Sequence, residues 1–322
     1  MTTLLYGRPP AVFDPPGDAL QTSPLIPGST PLESVAEGSA DAVMVYAPPG
    51  VLERRHTLAL ALRALKPGGR LDVMAPKDKG GSRLKKELQA FGVEIGESAK
   101  AHHRRCVVIR PERVTGLDEA IAAGAPRLVP WSPEFPEGGG FWSQPGMFSW
   151  DRVDAGTDRL ATYFTENGGC DLGFKGAGAD LGCGWGALAD SVLMSDSRVT
   201  SMRMVDLDRR AIGAAKRYLG NREANFAASA QLAYEWADVR LLEEVADLDF
   251  IVTNPPFHDG GAEDKKLGQA FIRKAAGMLR KGGVLWLVAN RHLPYEAELN
   301  AAFKRVTMVA DAGGFKLFEA TK

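Results

Sequence analysis

The run Asp249-Phe250-Ile251-Val252-Thr253-Asn254-Pro255-Pro256-Phe257-His258-Asp259-Gly260-Gly261 gathers residues suited to holding a flat amine. Its apolar first half reads as a buried strand. Two consecutive prolines then fix φ and remove two backbone donors, so the chain leaves the strand in a rigid conformation. The Asn254 side-chain oxygen and the Pro255 carbonyl become fixed acceptors beyond the sheet edge, and two acceptors match the two N–H bonds of an exocyclic NH2. Phe257 offers a ring face on which a base stacks, and the glycines after it suit a lid. Asn254, Pro255, Pro256 and Phe257 are therefore the candidate catalytic set.

A second chemical segment precedes it by some 70 residues, Asp180-Leu181-Gly182-Cys183-Gly184-Trp185-Gly186. Glycines between a strand and a helix let the backbone turn tightly and approach a ligand, while the free amides at the helix start favour electron-rich groups. The spacing Gly-x-Gly-x-Gly after an acid differs from the Gly-x-Gly-x-x-Gly of dinucleotide sites, which counts against a nicotinamide oxidoreductase. Met202-Arg203-Met204-Val205-Asp206 ends a further strand in an acid 20 residues beyond Gly186, the place of a ribose ligand. Trp236-Ala237-Asp238 brings a third acid, a partner for an adenine amino group. Asp180, Gly182, Cys183, Gly184, Gly186, Asp206 and Asp238 form the candidate nucleotide set, with Asn254 at its border.

Elements must bring these segments together. After residue 145 short apolar runs alternate with amphipathic stretches, the pattern of a parallel sheet with crossover helices. Strands are expected at Ala177–Leu181, Met202–Val205, Asp249–Thr253 and Val284–Ala289, and helices near Ala187–Met194, Arg209–Leu219 and Lys265–Leu279. The Ala/Gly-rich first of these is weak in β-branched residues, so context alone marks it. Pro126, Pro130, Pro133, Pro136 and Pro145 with Gly138-Gly139-Gly140 read as a linker over 126–145. A repeat crosses it: Asp41–Pro49 resembles Asp249–Pro256, and Leu65-Lys66-Pro67-Gly68-Gly69 resembles Leu279-Arg280-Lys281-Gly282-Gly283. The first copy has no glycine loop upstream, and its counterpart of Asn254 is Ala47.

Length and composition agree with this. The 322 residues suffice for two domains, and 45% hydrophobic with 25% charged residues is a globular composition, neither disordered nor membrane-embedded. No run approaches the roughly 18 uncharged apolar residues of a spanning helix, and the start of the chain lacks a basic region followed by an apolar core, so a cytoplasmic protein is expected. Cys106, Cys170 and Cys183 are too scattered for a disulfide framework or a metal cluster and read as reduced core thiols; no metal is expected. The net charge of −1 conceals an asymmetry: residues 1–130 hold 17 Lys/Arg against 14 Asp/Glu, and residues 131–322 hold 22 against 26.

The second half resembles the class I S-adenosylmethionine-dependent methyltransferases of the small-methyltransferase type, and among them the bacterial small-subunit rRNA guanine-N2 enzymes. The matching stretches are Gln144–Asp151 with Asp154-Ala155-Gly156-Thr157, Asp180–Gly186, Asn254–Gly260, Val288–Tyr295 and Gly314-Phe315-Lys316. The resemblance implies two tandem Rossmann-like folds, a degenerate shorter copy over 1–125 and a catalytic domain over 146–322 with a seven-stranded type of sheet. It implies S-adenosylmethionine as cofactor, with Phe148 and Leu207 added to its contacts, and methylation of guanine N2 in 16S rRNA, of the guanine-1207 type, on the subunit or an assembly intermediate, by a monomer. The first domain would recognise RNA through Lys77, Lys79, Arg83, Lys85, Lys86, Arg104 and Arg105. An aromatic amine attacking a methyl sulfonium becomes acidic as it reacts, so His258 and Asp259 are assigned to the lid rather than to base catalysis. The rival readings are methylation of another planar amine or amide, such as adenine N6 or a protein glutamine, and an RNA-binding assembly factor without turnover.

Overall fold

The computed structural model describes residues 1–132, 134–168, 171–195, 198–222, 226, 229–244, 247–256, 258–259, 262–263 and 265–322. The chain is α/β and divides into two compact units, Met1–Arg127 with Gln144–Gly146, and Leu128–Ser143 with Met147–Lys322.

The first unit contains β1 (Thr3–Tyr6), β2 (Leu20–Gln21), β3 (Ala40–Tyr46), α1 (Val51–Ala64), β4 (Leu65–Pro76), α2 (Leu84–Gln89), β5 (Gly96–Lys100), β6 (His103–Ile109) and α3 (Leu117–Ala123). Its strands form one sheet in the order β2-β1-β3-β4-β6-β5. The first four are parallel, and β6 runs antiparallel to both β4 and β5. Helix α1 carries the run Leu58-Ala59-Leu60-Ala61-Leu62, buried on every side, so it is a core helix without a polar face.

The second unit contains β7 (Arg127–Pro130), β8 (Gly140–Ser143), α4 (Ala155–Asn167), β9 (Lys175–Leu181), α5 (Ala187–Met194), β10 (Arg198–Asp206), α6 (Arg209–Gly220), β11 (Gln231–Trp236), β12 (Leu248–Thr253), β13 (His258–Asp259), β14 (Ala262–Glu263), α7 (Lys265–Met278), β15 (Leu279–Asn290), α8 (Glu296–Ala302), β16 (Arg305–Ala312) and β17 (Phe315–Thr321). Its main sheet has seven strands in the order β11-β10-β9-β12-β15-β17-β16. Five are parallel, and β17 is antiparallel to both its neighbours. Without β11, this order corresponds strand for strand to the first sheet, so the two units share one topology, the shorter copy first. The Ala/Gly content of β9 has a packing cause. A Cβ on Gly178 would lie 2.1 Å from the Phe250 ring, so the missing side chain is the space that ring fills.

Residues 126–145, expected as a linker, are largely folded into the second unit. Strands β7 and β8 pair. Phe141 on β8 is fully buried and stacks on Trp185 at 4.7 Å, and the Arg217 guanidinium lies 3.8 Å over the Trp142 ring. The prolines there mark element ends, Pro130 closing β7 and Pro136 opening a 3-10 turn, rather than an unstructured tether. Cys106 and Cys183 are buried free thiols, and Cys170 lies outside the described residues. No helix among the described residues is long and apolar enough to cross a membrane.

Candidate functional site

Strand order in the second sheet reverses between β9 and β12, and a ligand crevice in an open α/β sheet lies outside the strand ends at such a switch point. The two chemical segments emerge there side by side. Thr253, the last residue of β12, is paired with Leu181, the last of β9, and its Oγ1 donates to the Leu181 carbonyl at 2.7 Å. The Gly182 and Cys183 amides turn back onto the Val205 carbonyl at 2.8 and 3.1 Å. Gly184 adopts φ 54°, and a Cβ there would meet no atom within 4 Å, so the centre of the loop faces open space. Gly186, at φ 94°, instead lies tight against Leu219 of α6, where a Cβ would come within 3.1 Å.

Two carboxylates back this loop. Asp180 is buried; its Oδ2 accepts the Ala189 amide of α5 at 3.1 Å, while Oδ1 has no hydrogen-bond partner among the described residues. Burial pushes its carboxyl up to about 8 against that hydrogen bond, and the neighbouring Asp206 charge adds to the rise. Asp206, at the end of β10, accepts the Gly184 amide at 2.9 Å and the Asp208 amide at 2.8 Å. Burial raises it to about 6 in spite of these bonds. Burial, then the charges of Asp206 and Asp180, hold the Cys183 thiol well above its ordinary value, which leaves it protonated and unreactive.

The remaining expected cofactor contacts are more varied. The Leu207 carbonyl accepts Trp236 Nε1 at 2.8 Å and so ties the end of β10 to the end of β11. Asp238 caps the 3-10 turn Val239–Leu241 through the Arg240 amide at 2.9 Å and pairs with the Arg240 guanidinium at 2.6 Å. Its carboxylate is therefore engaged structurally, as a cap. Phe148 is 63% exposed in the turn before α4.

Asn254 is anchored by two residues, Asp154 and Thr157, to which the sequence alone assigns no role. Asp154, the N-cap of α4, accepts the Thr157 amide at 2.9 Å and Asn254 Nδ2 at 2.7 Å through the same Oδ1, and Thr157 Oγ1 accepts Nδ2 at 2.9 Å. A carboxylate only accepts, so the amide nitrogen must face Asp154, and Asn254 Oδ1 remains an acceptor without a partner among the described residues. The first turn of α4 is itself held by Phe315, whose ring lies 2.8 Å from where a Cβ on Gly156 would sit. An acid three residues before a Thr, ahead of an apolar-periodic run, was the available signal for this cap. Pro255 is buried and Pro256 half-buried. His258 and Asp259 fall in the short β13–β14 pairing; Phe257, Gly260 and Gly261 lie outside the described residues.

In the first unit the equivalent strand ends are satisfied internally. The guanidinium of Arg54, fully buried, donates through Nη1 to the Pro48 and Pro49 carbonyls at 3.0 and 2.7 Å, and through Nε and Nη2 to Glu87 at 2.7 Å each. Of the cations expected to meet RNA, Arg105 forms a two-point pair with buried Asp72 across β4 and β6, so its charge is turned inward, contrary to expectation. Lys85 and Arg104 share Glu97 at 3.5 and 3.9 Å. Lys77, Arg83 and Lys86 are exposed, and Lys79 is half-buried.

Known proteins place this arrangement. The family Methyltransferase small domain matches residues 138–319. Ribosomal RNA small subunit methyltransferase C of Yersinia pestis is 32% identical over 286 residues, 88% of this chain and 75% of that protein. Its namesake in Shewanella baltica is 29% identical over 302 residues, 91% of this chain and 78% of that protein. The solved structure of the T. thermophilus 16S rRNA N2 G1207 methyltransferase, RsmC, in complex with AdoMet and guanosine, is similar at a TM-score of 0.75 and 25% identity, over 100% of this chain and 88% of that one. The chain therefore belongs to the methyltransferase small domain family and, within it, to the ribosomal RNA small subunit methyltransferase C proteins.

Proposed function

We propose that the protein is an S-adenosylmethionine-dependent methyltransferase that modifies the exocyclic N2 amine of a guanine in 16S rRNA, of the G1207 type, working in the cytoplasm as a monomer on the small subunit or an assembly intermediate. The observation that carries this reading is the anchored Asn254, its Oδ1 left as an acceptor beside the glycine loop at the switch point. The names of the relatives and the ligands of the T. thermophilus neighbour point the same way.

The residues present suit this cofactor. Asp180 offers a buried oxygen without a partner among the described residues, and Gly184 leaves open space where any other residue would place a side chain. S-adenosylmethionine supplies a methyl group on a positively charged sulfur. Asp206 is placed to accept ribose hydroxyls; Gly182, Cys183, Gly184 and Gly186 present backbone, and Leu207, Asp238 and Phe148 complete the assigned contacts. Asn254 Oδ1 and the Pro255 carbonyl accept the two N–H bonds of the amine and so aim its lone pair, which supplies catalysis by orientation. The amine turns acidic as the new N–C bond forms and the methyl–sulfur bond breaks, its electron pair staying on sulfur, and the amine's proton passes to solvent. A paired guanine must first be drawn out of its stack.

The expected effect of Asn254→Ala is a loss of transfer of about 100-fold or more, with the affinity for S-adenosylmethionine in calorimetry nearly unchanged. Mass mapping of modified nucleosides in ribosomal RNA from cells with and without the gene is expected to differ by one N2-methylguanosine. Unchanged turnover of the variant, or loss of a different modification, overturns the reading.

A further inference from the structure

Helix propensity does not account for Gly156. Glycine is a poorer helix former than alanine by about 1 kcal/mol in a helix interior, and Gly156 stands in the first turn of α4 without a positive φ. Its reason is tertiary: a Cβ there would lie 2.8 Å from Cε1 and 3.0 Å from Cδ1 of Phe315, so the Phe315 ring takes the place of a side chain. One turn further along α4, Arg159 lies over Gly313, where a Cβ would come within 1.9 Å of Nη2. The turn between β16 and β17 thus meets α4 at two successive helical turns. We propose that Phe315 is a positioning residue for methyl transfer, acting through the cap of α4 on the Asn254 amide; the inference rests on the function proposed above and names a residue that serves it.

Phe315 opens β17 and pairs with Asn290, the last residue of β15, which puts it at the strand-end edge that carries the site. Side chains alternate between the faces of a strand. Phe315 and Leu317 accordingly pack with Leu160 and Phe164 of α4, whereas Phe318 and Ala320 join the core under α7 and α8. Lys316 belongs to that second face, its Nζ 6.0 Å from the Phe318 ring centre. Buried there, it donates to the Leu293 carbonyl at 3.3 Å and pairs with Glu296. The Arg291 amide donates to the Gly314 carbonyl at 2.8 Å, and the Arg291 guanidinium pairs with Asp311 at 2.6 Å. The turn is therefore fixed from the far face of the sheet, and the Phe315 ring is a firm stop against which α4 rests. Both oxygens that hold Asn254 Nδ2, Asp154 Oδ1 at 2.7 Å and Thr157 Oγ1 at 2.9 Å, flank Gly156 in the chain. A shift of this turn moves them together, and misplacement of a positioning group by about 1 Å costs on the order of 100-fold in rate. The cofactor loop follows β9 instead, so the cost falls on turnover and not on cofactor affinity.

The test uses the full chain and a 16S rRNA transcript, with kcat taken per folded molecule. Phe315→Ala is expected to lower kcat about tenfold, with KM and calorimetric affinity for S-adenosylmethionine within about twofold of wild type. Phe315→Leu keeps part of the bulk, strains the fold less and is expected to lose about threefold. In the Asp154→Ala background the cap no longer transmits the contact, and either Phe315 variant is expected to change kcat by less than about twofold. Phe303→Leu makes the same change in a buried ring at the other end of the hairpin, just before β16, and is expected to lower the melting temperature without altering kcat. Unchanged kcat in both Phe315 variants assigns the ring to packing alone and overturns the inference. An equal loss from Phe303→Leu overturns it too, as does a loss in the Asp154→Ala background as large as in the wild type. Each of these outcomes leaves the function standing, whereas a wild type that does not methylate the transcript overturns the function and the inference together.

Discussion

Asp180 shows how much one carboxyl contributes when its environment is apolar. Burial raises it to about 8 from an ordinary 3.8, with Asp206 adding and the Ala189 amide opposing. The folded chain keeps this proton up to about pH 8, whereas the unfolded chain releases it near 3.8. The associated stability is therefore present in full below the unfolded value and is lost as pH rises through the folded one. Asp206 acts in the same direction over the narrower span up to about 6. The ligand-free protein is accordingly expected to lose unfolding free energy between about pH 4 and 8, at a rate on the order of 1 kcal/mol per pH unit at most for Asp180 alone. Asp180→Asn keeps an acceptor for Ala189 and removes the titration, so denaturant unfolding measured across this range should show a flatter decline. An identical decline in the variant rules out Asp180 as its source. A positively charged ligand favours the ionised carboxylates, so S-adenosylmethionine should bind more tightly as pH rises through the same interval.

At the scale of elements, the first turn of α4 converts a helix cap into a device for orienting Asn254, the residue just past the end of β12. Removing it separates two contributions. Asp154→Ala loses the cap, worth about 1 kcal/mol of stability, and also the acceptor that fixes the amide. Its kcat is expected to fall by about tenfold or more with KM for the cofactor unchanged, and Asp154→Asn, which retains Oδ1, is expected to recover most of the loss. A cap of purely structural value would lower the melting temperature of Asp154→Ala and leave its kcat per folded molecule untouched. The sequence made some elements legible and not others, for physical reasons. Helices α5, α6 and α7 fall where their amphipathic spacing put them, because Gly186 and Asp208 mark where the first two begin. The strand β9 was legible from its neighbours alone, since its small residues answer to the Phe250 ring, a contact 72 residues away in the chain. The β7–β8 hairpin read as a linker because its burial against Trp185 and α6 is tertiary, whereas its prolines are local. The Asn254 anchor was hidden for the same reason: Asp154 lies 100 residues from the amide it holds.

At the scale of the whole molecule, one topology occurs twice and its strand ends have opposite fates. In the second unit they keep polar atoms available, Asn254 Oδ1 and Asp180 Oδ1 among them. In the first, β2 is two residues long and ends in Gln21 instead of an acid. Gln21 Nε2 donates to the Gly7 carbonyl at 3.0 Å, its Oε1 accepts the Thr22 and Ser23 amides at 3.0 Å each, and Arg54 takes the Pro48 and Pro49 carbonyls. Each of these bonds fills from within a valence that a nucleotide would need, and displacing it would leave a buried polar group unpaired at a cost of about 1–3 kcal/mol. Nucleotide affinity should therefore belong to the second unit alone. Calorimetric titration of the full chain with S-adenosylmethionine is expected to give one site per chain, and Asp206→Ala is expected to abolish that heat without uncovering another. Two sites in the wild type, or a residual site in the variant, would show that the first unit still binds the cofactor and that its internal hydrogen bonds open to admit it.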